Sequence, residues 1–332
     1  MSTSDLATPE RSASTNPATK DDEHLLTQAE YSSYQQGTAA LTNRCLDYPR
    51  TVSIETQVRC NAKCSFCPYP ESPRKGDEMS TPLFEKIIDD LSIMPPNHKF
   101  QMTLSRINEP LLDHRLETFH RRIADKLPGA VVSFWSNGTM LREGAFEWMA
   151  GHQGASLFIS LNAVNEADHV RLMGFGLERV LINLDRVHQL KDKGEFPVEV
   201  KLRAPYESEQ QARQMKDFCT QRWPLFSLGL RPFFEWVGGS SKGGHERDET
   251  TARRAETAAA LNFSCAQWFD LHVLASGYAT KCCIDETGFV GEDRYDLSKH
   301  HALDVYAHSR WLRDELPDRS GVSGCGGCRH LG

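Results

Sequence analysis

The chain lacks both a surplus of positive charge and any long apolar run. Its 332 residues include 38 lysines and arginines against 45 aspartates and glutamates, a net charge of -7 at pH 7. Proteins that bind nucleic-acid phosphates usually carry a basic surplus, so this balance disfavours a nucleic-acid partner. No stretch approaches the roughly 20 apolar residues of a membrane-spanning helix. Residues 1–22 also lack the apolar core of a secretory signal, which predicts a disordered lead-in to a cytoplasmic protein.

Cysteine, by contrast, is plentiful, with ten residues. Reducing conditions in the cytoplasm disfavour disulfides, so clustered cysteines there indicate metal binding or catalysis. Cys45 and Cys219 stand apart and are interpreted as packed, small apolar residues. The others form a front group of three and a back group of five: Cys60, Cys64 and Cys67, then Cys265, Cys282, Cys283, Cys325 and Cys328.

Short β-type runs alternate with helical patterns from residue 51 to about residue 205. The predicted strands are Val52–Thr56, Phe100–Leu104, Ala130–Trp135, Ser156–Leu161 and Val198–Arg203. Helices are predicted from Pro82, over Leu116–Leu127 and over Val180–Lys191. Such alternation predicts βαβ units and a parallel sheet, whose ligands bind at the carboxyl ends of the strands.

The front group has the spacing Cys60-x3-Cys64-x2-Cys67 and follows the first predicted strand directly. Three thiolates can hold three irons of a 4Fe–4S cluster and leave the fourth iron open. The alternative is a structural zinc loop, although zinc favours four closed ligands. Spacing alone leaves both interpretations open.

The residues around this group closely resemble the radical S-adenosylmethionine (SAM) superfamily, with Phe66 as the aromatic before the last cysteine. The resemblance implies an α/β fold, a partial (βα)6 barrel over residues 23–237. It implies that SAM binds the open iron of the catalytic 4Fe–4S cluster through its amino and carboxylate groups. A flavodoxin- or ferredoxin-type donor would supply the electron that cleaves SAM to a 5′-deoxyadenosyl radical, which abstracts a hydrogen atom.

Further positions match the superfamily's cofactor-binding turns. Asn108-Glu109-Pro110 stands where the family usually has Gly-Glu-Pro, which implies that Glu109 binds the methionine ammonium. Asn108 and the preceding Arg106-Ile107 depart from the usual pattern. For Ser160 and Arg203, ordinary structural roles stand beside a role in binding SAM. The full set of implied SAM contacts is Phe66, Asn108, Glu109, Ser136, Asn137, Ser160 and Arg203.

The back group surrounds a predicted β-hairpin, Leu271–Leu274 and Tyr278–Thr280, with Gly277 in its turn. We expect this hairpin to be a small metal-binding unit and not a continuation of the sheet. The pattern resembles the shortened auxiliary-cluster module, called twitch, of SPASM-related radical SAM enzymes. That resemblance implies a module over residues 263–332 behind a linker at 238–262. One auxiliary 4Fe–4S cluster would be held by Cys265, Cys282, Cys325 and Cys328, with zinc as the alternative on spacing alone.

Cys282 and Cys283 are adjacent, so their side chains would point to opposite sides of an extended segment. The Gly-x4-Cys spacing favours Cys282 as the ligand. Cys283 is then either a packed thiol or a hydrogen-atom donor in the active site. Arg231 and Glu235, between the two modules, are candidates for substrate contact or proton transfer, with surface or packing roles as the alternative.

The two-cluster layout resembles oxidoreductases and epimerases of small polyhydroxylated substrates, such as a sugar, aminocyclitol or nucleoside in antibiotic biosynthesis. A substrate radical that loses a proton and passes an electron to the auxiliary cluster becomes a ketone. A hydrogen atom returned by Cys283 to the opposite face would give an epimer instead. A maturase of ribosomal peptides or proteins is the second hypothesis, and a non-catalytic iron–sulfur or zinc protein is the third. The short polar lead-in disfavours a peptide-recognition domain.

Overall fold

A single sheet organises the part of the chain that the structure describes. The computed structural model describes residues 28–141, 143–152, 154–232, 264–286, 288–325 and 328. The predicted lead-in 1–22, the predicted linker 238–262 and the candidate residue Glu235 lie outside the described residues.

Eight strands of the described residues form this sheet in the order β6-β5-β4-β3-β2-β1-β7-β8. Every neighbouring pair from β6 to β7 is parallel, and only the pair β7–β8 is antiparallel. The sheet is not closed, because β6 and β8 form its two edges. The predicted α/β fold with a partial barrel is confirmed. The strands are β1 (Thr51–Ile54), β2 (Phe100–Thr103), β3 (Ala130–Ser136), β4 (Ser156–Ser160), β5 (Glu199–Tyr206), β6 (Ser227–Pro232), β7 (Asp270–Val273) and β8 (Ala279–Thr280).

Helices connect most of the strands, and three of these helices begin at a capping side chain. Ser80, Asn165 and Ser208 each accept a hydrogen bond from a main-chain N–H in the first turn of the helix that follows. None of the described helices combines the length and apolar character needed to cross a bilayer. The helices are α1 (Gln28–Cys45), α2 (Thr81–Leu91), α3 (Leu116–Lys126), α4 (Glu143–Ala150), α5 (Glu166–Met173), α6 (Glu178–Asp192), α7 (Glu209–Arg222), α8 (Ala302–Ala307) and α9 (Arg310–Asp314).

Alternation along the strands gives the sheet two different faces. On one face, Val52 and Ile54 join the hydrophobic core with Phe84 and Phe119, whose rings stack 4.0 Å apart. The other face, here called the polar face, carries mainly polar and aromatic side chains. The strand register places these side by side: Ser53 with Thr103 and His272, Ser133 with Ser156, Trp135 with Phe158, and Ser160 with Arg203.

The C-terminal hairpin is part of the sheet, and the expectation of a separate unit was wrong. Strand β7 pairs in parallel with β1, from Thr51 beside Asp270 to Ile54 beside Val273. The physical reason is that β7 carries apolar side chains that extend the core beside β1, while its main chain satisfies the free edge of β1. An ion pair fixes the start of the pairing between β1 and β7, because Arg50 donates two hydrogen bonds to the Asp270 carboxylate, at 2.9 and 2.8 Å.

The Arg50–Asp270 pair allows a stability test of this attachment. Asp270 is buried, and its burial raises the pKa of that carboxyl above the ordinary value even though Arg50 opposes the rise. Arg50→Ala removes the main compensation of a buried charge, which Thr51 compensates only in part, so we expect a loss of about 3 kcal/mol in the free energy of unfolding. Urea unfolding at pH 7.5 measures it. Arg121→Ala, which breaks the exposed Arg121–Glu117 pair, should cost about 0.5 kcal/mol or less. Equal losses in the two variants would contradict the assigned role of Arg50.

Candidate functional site

The front cysteine group lies in a loop that continues β1 at the carboxyl end of the sheet. Helix α5 supports one side of this loop, since Lys63 N and Ser65 N donate to the carbonyls of Met173 and Leu172, both at 2.9 Å. Gly174 follows with φ +76°, and a Cβ there would lie 2.9 Å from the Lys63 Cβ. The loop and the end of α5 are therefore in such close contact that only glycine fits between them.

The three thiols of this loop are partly buried and near one another. Burial is the main cause that raises the pKa of Cys60 to about 11 and of Cys67 to about 12. Burial also raises the pKa of Cys64 well above its usual value, and the neighbouring Cys67 and Cys60 add to this rise. These thiols are all free of disulfides. Three such sulfurs in one loop make a donor set that suits iron, whose positive charge would offset the cost of forming thiolates.

Glu109 lies next to this group at the end of β2 and is buried. Its carboxylate accepts hydrogen bonds from Asn137 N at 2.6 Å and Leu111 N at 3.2 Å, while its own N–H donates to Arg59 O at 2.9 Å. Burial raises the pKa of Glu109 to about 7, and these N–H groups oppose the rise. The negative charge of Glu109 also raises the pKa of Cys60, which places the two side chains in one site.

The turn after β3 joins Glu109 to the cysteine loop through amide and hydroxyl groups. Asn137 Nδ2 donates to Asn61 Oδ1, and Asn61 Nδ2 donates to Thr139 Oγ1, both at 2.8 Å. The Asn137 side chain also hydrogen-bonds to the Cys60 sulfur, and Ser136 hydrogen-bonds to Glu109. Sequence reasoning missed Asn61 and Thr139, because their role depends on an approach between loops 78 residues apart.

The remaining implied SAM contacts are distributed more widely. Phe66 packs on Leu172 and Met173 beneath the loop. The side chain of Asn108 closes its own turn, since its Oδ1 accepts from Arg106 N at 2.8 Å. Ser160 and Arg203 are register partners on β4 and β5, apart from the Glu109 cluster.

Arg203 and Arg231 lie together on β5 and β6, on the polar face. The Arg203 guanidinium lies 5.1 Å from the centroid of the Phe158 ring, over Gly229, where a side chain would collide with it. The charge of Arg231 is one cause that lowers the pKa of Arg203, after burial. Within the described ranges, neither guanidinium has a carboxylate within ion-pair distance. Two neighbouring cations on adjacent strands, of which Arg203 feels only the more distant charge of Glu199 among the described carboxylates, provide a place for an anionic group.

The back cysteines gather beside the hairpin. Cys265 and Cys325 pack with Trp268 in a small apolar cluster, and the Trp268 side chain hydrogen-bonds to the Cys325 sulfur. Burial raises the pKa of Cys265 to about 11, and the charges of Cys328 and Cys325 add to the rise. The mutual effects of these thiols on their pKa values indicate that they lie near one another. They form a second donor set that suits a soft metal or cluster.

Cys282 and Cys283 follow β8 and reach the same region. Burial raises the pKa of Cys282 well above its ordinary value, and the neighbouring Cys283 is the next cause. Burial likewise raises the pKa of Cys283 to about 12, but here the Arg106 guanidinium opposes the rise. The Cys265 charge acts on both thiols. Cys283 is thus the thiol of the pair whose pKa the positive charge of Arg106, in the turn after β2, lowers.

Between the two cysteine groups lies a chain of buried and partly buried charges that sequence reasoning did not connect, here called the charge bridge. Its members are Glu55, Arg74, Glu286 and Arg106. Arg74 pairs with both Glu55 and Glu286, and Arg106 lies 3.3 Å from Glu286. The charges of Glu286 and Glu55 contribute to the raised pKa of Cys67, so the bridge begins at the front group. Arg106 appeared in the sequence only as a departure from the superfamily pattern.

Among the described residues, no three His, Cys, Asp or Glu side chains are arranged to hold a single metal ion. The thiols of each group nevertheless fit an iron–sulfur cluster by chemistry, because soft thiolates are the ligands that such clusters use.

Comparisons with known proteins follow this geometry. A search of curated proteins found no match to the sequence. Among solved structures, SuiB of Streptococcus suis bound to the precursor peptide SuiA superimposes with a TM-score of 0.62 at 14% identity, covering 90% of this chain and 73% of that chain. BtrN in complex with AdoMet and 2-DOIA has a TM-score of 0.50 at 15% identity, with 85% and 93% covered. The enzyme anSMEcpe with bound AdoMet has a TM-score of 0.57 at 13% identity, with 80% and 84% covered.

At these identities the solved structures establish a shared fold, and the family follows from the sequence match. Residues 54–198 match the family model described as the radical SAM superfamily. The matched segment runs from the end of β1 to the start of β5, and it contains Cys60, Cys64, Cys67 and Glu109. Residues 54–198 of the chain therefore form a radical SAM domain.

Proposed function

We propose that this radical SAM enzyme removes a hydrogen atom from a small polyhydroxylated substrate and completes a dehydrogenation or an epimerisation. The observation that carries the proposal is the presence of two thiol groups that the charge bridge connects. The front group lies beside Glu109, and the charge bridge joins it to the back group. A one-cluster enzyme needs only the first of these groups.

Each residue of the front site has a role in this proposal. Cys60, Cys64 and Cys67 would ligate the catalytic 4Fe–4S cluster, which with bound SAM supplies a 5′-deoxyadenosyl radical once a flavodoxin- or ferredoxin-type protein delivers an electron. Glu109 would bind the SAM ammonium through a charge-assisted hydrogen bond. The Asn137 side chain would orient the Cys60 sulfur, to which it already donates.

The polar face of the sheet supports a small polar substrate. The interior of a (βα) barrel is usually filled by bulky aliphatic side chains, whereas here Ser133, Ser160 and Arg203 are on that face. Hydroxyl and guanidinium groups match the hydroxyl and charged groups of a sugar, aminocyclitol or nucleoside. Arg231, on the neighbouring strand, is the proposed additional substrate contact.

The choice between dehydrogenation and epimerisation rests on the back group. Net oxidation needs an acceptor for a second electron, and Cys265, Cys282, Cys325 and Cys328 offer ligands for an auxiliary 4Fe–4S cluster that could accept it. Epimerisation needs a hydrogen-atom donor, and Cys283, on which the charge of Arg106 acts, is the proposed thiol. The thiyl radical that remains would be returned to the thiol by an electron from the flavodoxin- or ferredoxin-type donor and a proton from solvent.

A second candidate function is modification of a ribosomal peptide or a protein. It is favoured by the likeness to SuiB, which was solved with a precursor peptide and covers 90% of this chain. The greater coverage of BtrN, 93% of that chain against 73% for SuiB, favours the small substrate. Turnover of candidate aminocyclitols and sugars, with peptides as the comparison, distinguishes the two.

The first prediction concerns SAM cleavage. Anaerobically reconstituted and reduced enzyme should release 5′-deoxyadenosine from SAM, detected by chromatography and mass spectrometry. Ala in place of Cys60, Cys64 or Cys67 should abolish the release, because three ligands are needed to hold the cluster with one open iron. Cys219→Ala, at a packed thiol on the buried side of α7, should retain it. No release from the unsubstituted enzyme would overturn the proposal.

The second prediction concerns the pH dependence of SAM binding. Burial raises the pKa of Glu109 to about 7, and only the carboxylate form pairs with an ammonium. SAM affinity should therefore be full above pH 7 and fall by up to about tenfold per pH unit below it. Glu109→Gln should weaken binding by about 10- to 100-fold and remove this slope.

Equilibrium dialysis of SAM against reconstituted enzyme between pH 6 and 8.5 measures both effects. The matched control is Glu117→Gln, an exposed carboxylate on α3, which should keep the affinity and the slope. A pH-independent affinity in the unsubstituted enzyme would remove Glu109 from the site.

The third prediction separates the two reactions. In deuterated water, epimerisation through an exchangeable thiol should place solvent deuterium in the product, whereas dehydrogenation should give a product two hydrogens lighter. Cys283→Ala should abolish the first outcome and leave the second unchanged, because only epimerisation uses that thiol. Product masses from candidate aminocyclitols and sugars are the measurement, with Cys219→Ala as the control. Deuterium incorporation that persists in Cys283→Ala would exclude Cys283 as the donor.

A further inference from the structure

We propose that Arg106 is a positioning residue that holds the segment Cys282–Glu286 against the SAM-binding turn of β2, and so sets the orientation of Cys282 and Cys283. The proposal extends the proposed function, on which its catalytic meaning rests. The juxtaposition itself is a property of the chain and can be tested without SAM.

The contacts of Arg106 all lead to the C-terminal hairpin region. Its Nη1 donates to Thr280 Oγ1 at 3.0 Å and to the Cys282 carbonyl at 3.3 Å. Its Nη2 donates to the Asp285 carbonyl and lies 3.3 Å from Glu286 Oε1. Four acceptors within seven residues are thus gathered by one guanidinium, a task for which its planar fork of five donors is suited.

The burial of the Arg106 side chain makes each of these hydrogen bonds costly to lose. The Arg106 side chain is 1% exposed, so water cannot replace a lost acceptor. Glu286 supplies the balancing negative charge, and it is shared with Arg74, which in turn pairs with the fully buried Glu55 at the end of β1. The segment is therefore tied both to the turn of β2 and to the cysteine loop after β1.

One donor of Arg106 is left over. Its Nε is buried and has no hydrogen-bond partner among the described residues. The guanidinium also acts on the charge state of Cys283, which places that thiol near it. A buried N–H without an acceptor is rare, and this one offers a hydrogen bond to a group outside the described residues.

The position of Arg106 in the chain links the segment 282–286 to the turn that carries Glu109. Arg106 stands three residues before Glu109, and Asn108 closes the turn between them through the Arg106 N–H. A displacement of the segment 282–286 would therefore displace the proposed SAM site, and a displacement of the SAM site would displace this segment. Arg106 would position the Cys282–Cys283 pair relative to SAM without touching either reacting group.

The test measures thiol accessibility in the metal-free chain. Anaerobic alkylation with iodoacetamide, followed residue by residue with mass spectrometry, reports how readily the reagent reaches the partly buried Cys282 and Cys283 and the buried Cys219. In Arg106→Gln, alkylation of Cys282 and Cys283 should accelerate by about tenfold or more, while Cys219 keeps its rate. Arg106→Lys should accelerate it nearly as much, because one ammonium cannot span four acceptors.

Arg115→Gln is the matched control, since Arg115 also joins main-chain carbonyls and carboxylates but contacts the loop before α2, with no partner in the segment 280–286. It should leave Cys282 and Cys283 at their original rates. Equal acceleration in Arg115→Gln and Arg106→Gln, or acceleration of Cys219 as well, would overturn the proposal by showing general loosening. Unchanged rates in Arg106→Gln would overturn it directly.

A second readout uses the reconstituted full chain with Cys60, Cys64 and Cys67 replaced by Ala, so that only the back group binds iron. Addition of Arg106→Gln should lower the iron and sulfide content or change the electron paramagnetic resonance spectrum of the reduced protein. An identical content and spectrum would overturn the positioning role. Failure of SAM cleavage in the unsubstituted enzyme would sink the proposed function and leave the alkylation result intact, so the two failures are distinguishable.

Discussion

The parallel pairing of β1 on both of its edges is the constraint on which the site depends. One edge pairs with β2, whose following turn carries Glu109, and the other edge pairs with β7, which leads into the hairpin. The cysteine loop continues β1 itself. Three features that are far apart in the chain therefore meet at the carboxyl end of one four-residue strand.

A second feature of the site is that its buried charges are only partly compensated by their partners. Glu55 is fully buried and keeps one carboxylate oxygen without a partner in the described chain, although Arg74 and the Ala275 N–H satisfy the other. Buried charges are costly unless they are paired, and those of the charge bridge alternate in sign, so each side chain offsets the desolvation of the next. Such an arrangement contributes less to stability than to a single defined geometry, which a site with two thiol groups requires.

Sequence reasoning predicted the local features well, because they depend on neighbours in the chain. Strands such as Ala130–Trp135 follow from apolar runs, and the front loop follows from the spacing of Cys60 to Cys67 with Phe66. It missed β6 and α1: Ser227–Pro232 contains two prolyl or glycyl residues among six, and α1 is rich in polar residues without a clear apolar stripe.

The incorrect prediction, a hairpin separate from the sheet, has a different origin. Strand partners 219 residues apart, such as Thr51 and Asp270, leave no periodic signal in the sequence. The same reason hid the charge bridge, since Arg106 and Glu286 are ordinary surface residue types until the fold brings them together. Asn61 and Thr139 were missed because a single amide or hydroxyl carries no spacing pattern.

Gly174 shows how the cysteine loop limits the rest of the chain. Because Gly174 has no side chain, Lys63 can approach it closely. The end of α5 and the cysteine loop therefore pack together at a fixed distance. Any change in the length of α5 would therefore move Cys64 along with the Met173 sulfur, which lies 3.4 Å from it. Variation among proteins built on this plan would have to enter at other loops, where the main chain has space to absorb an insertion.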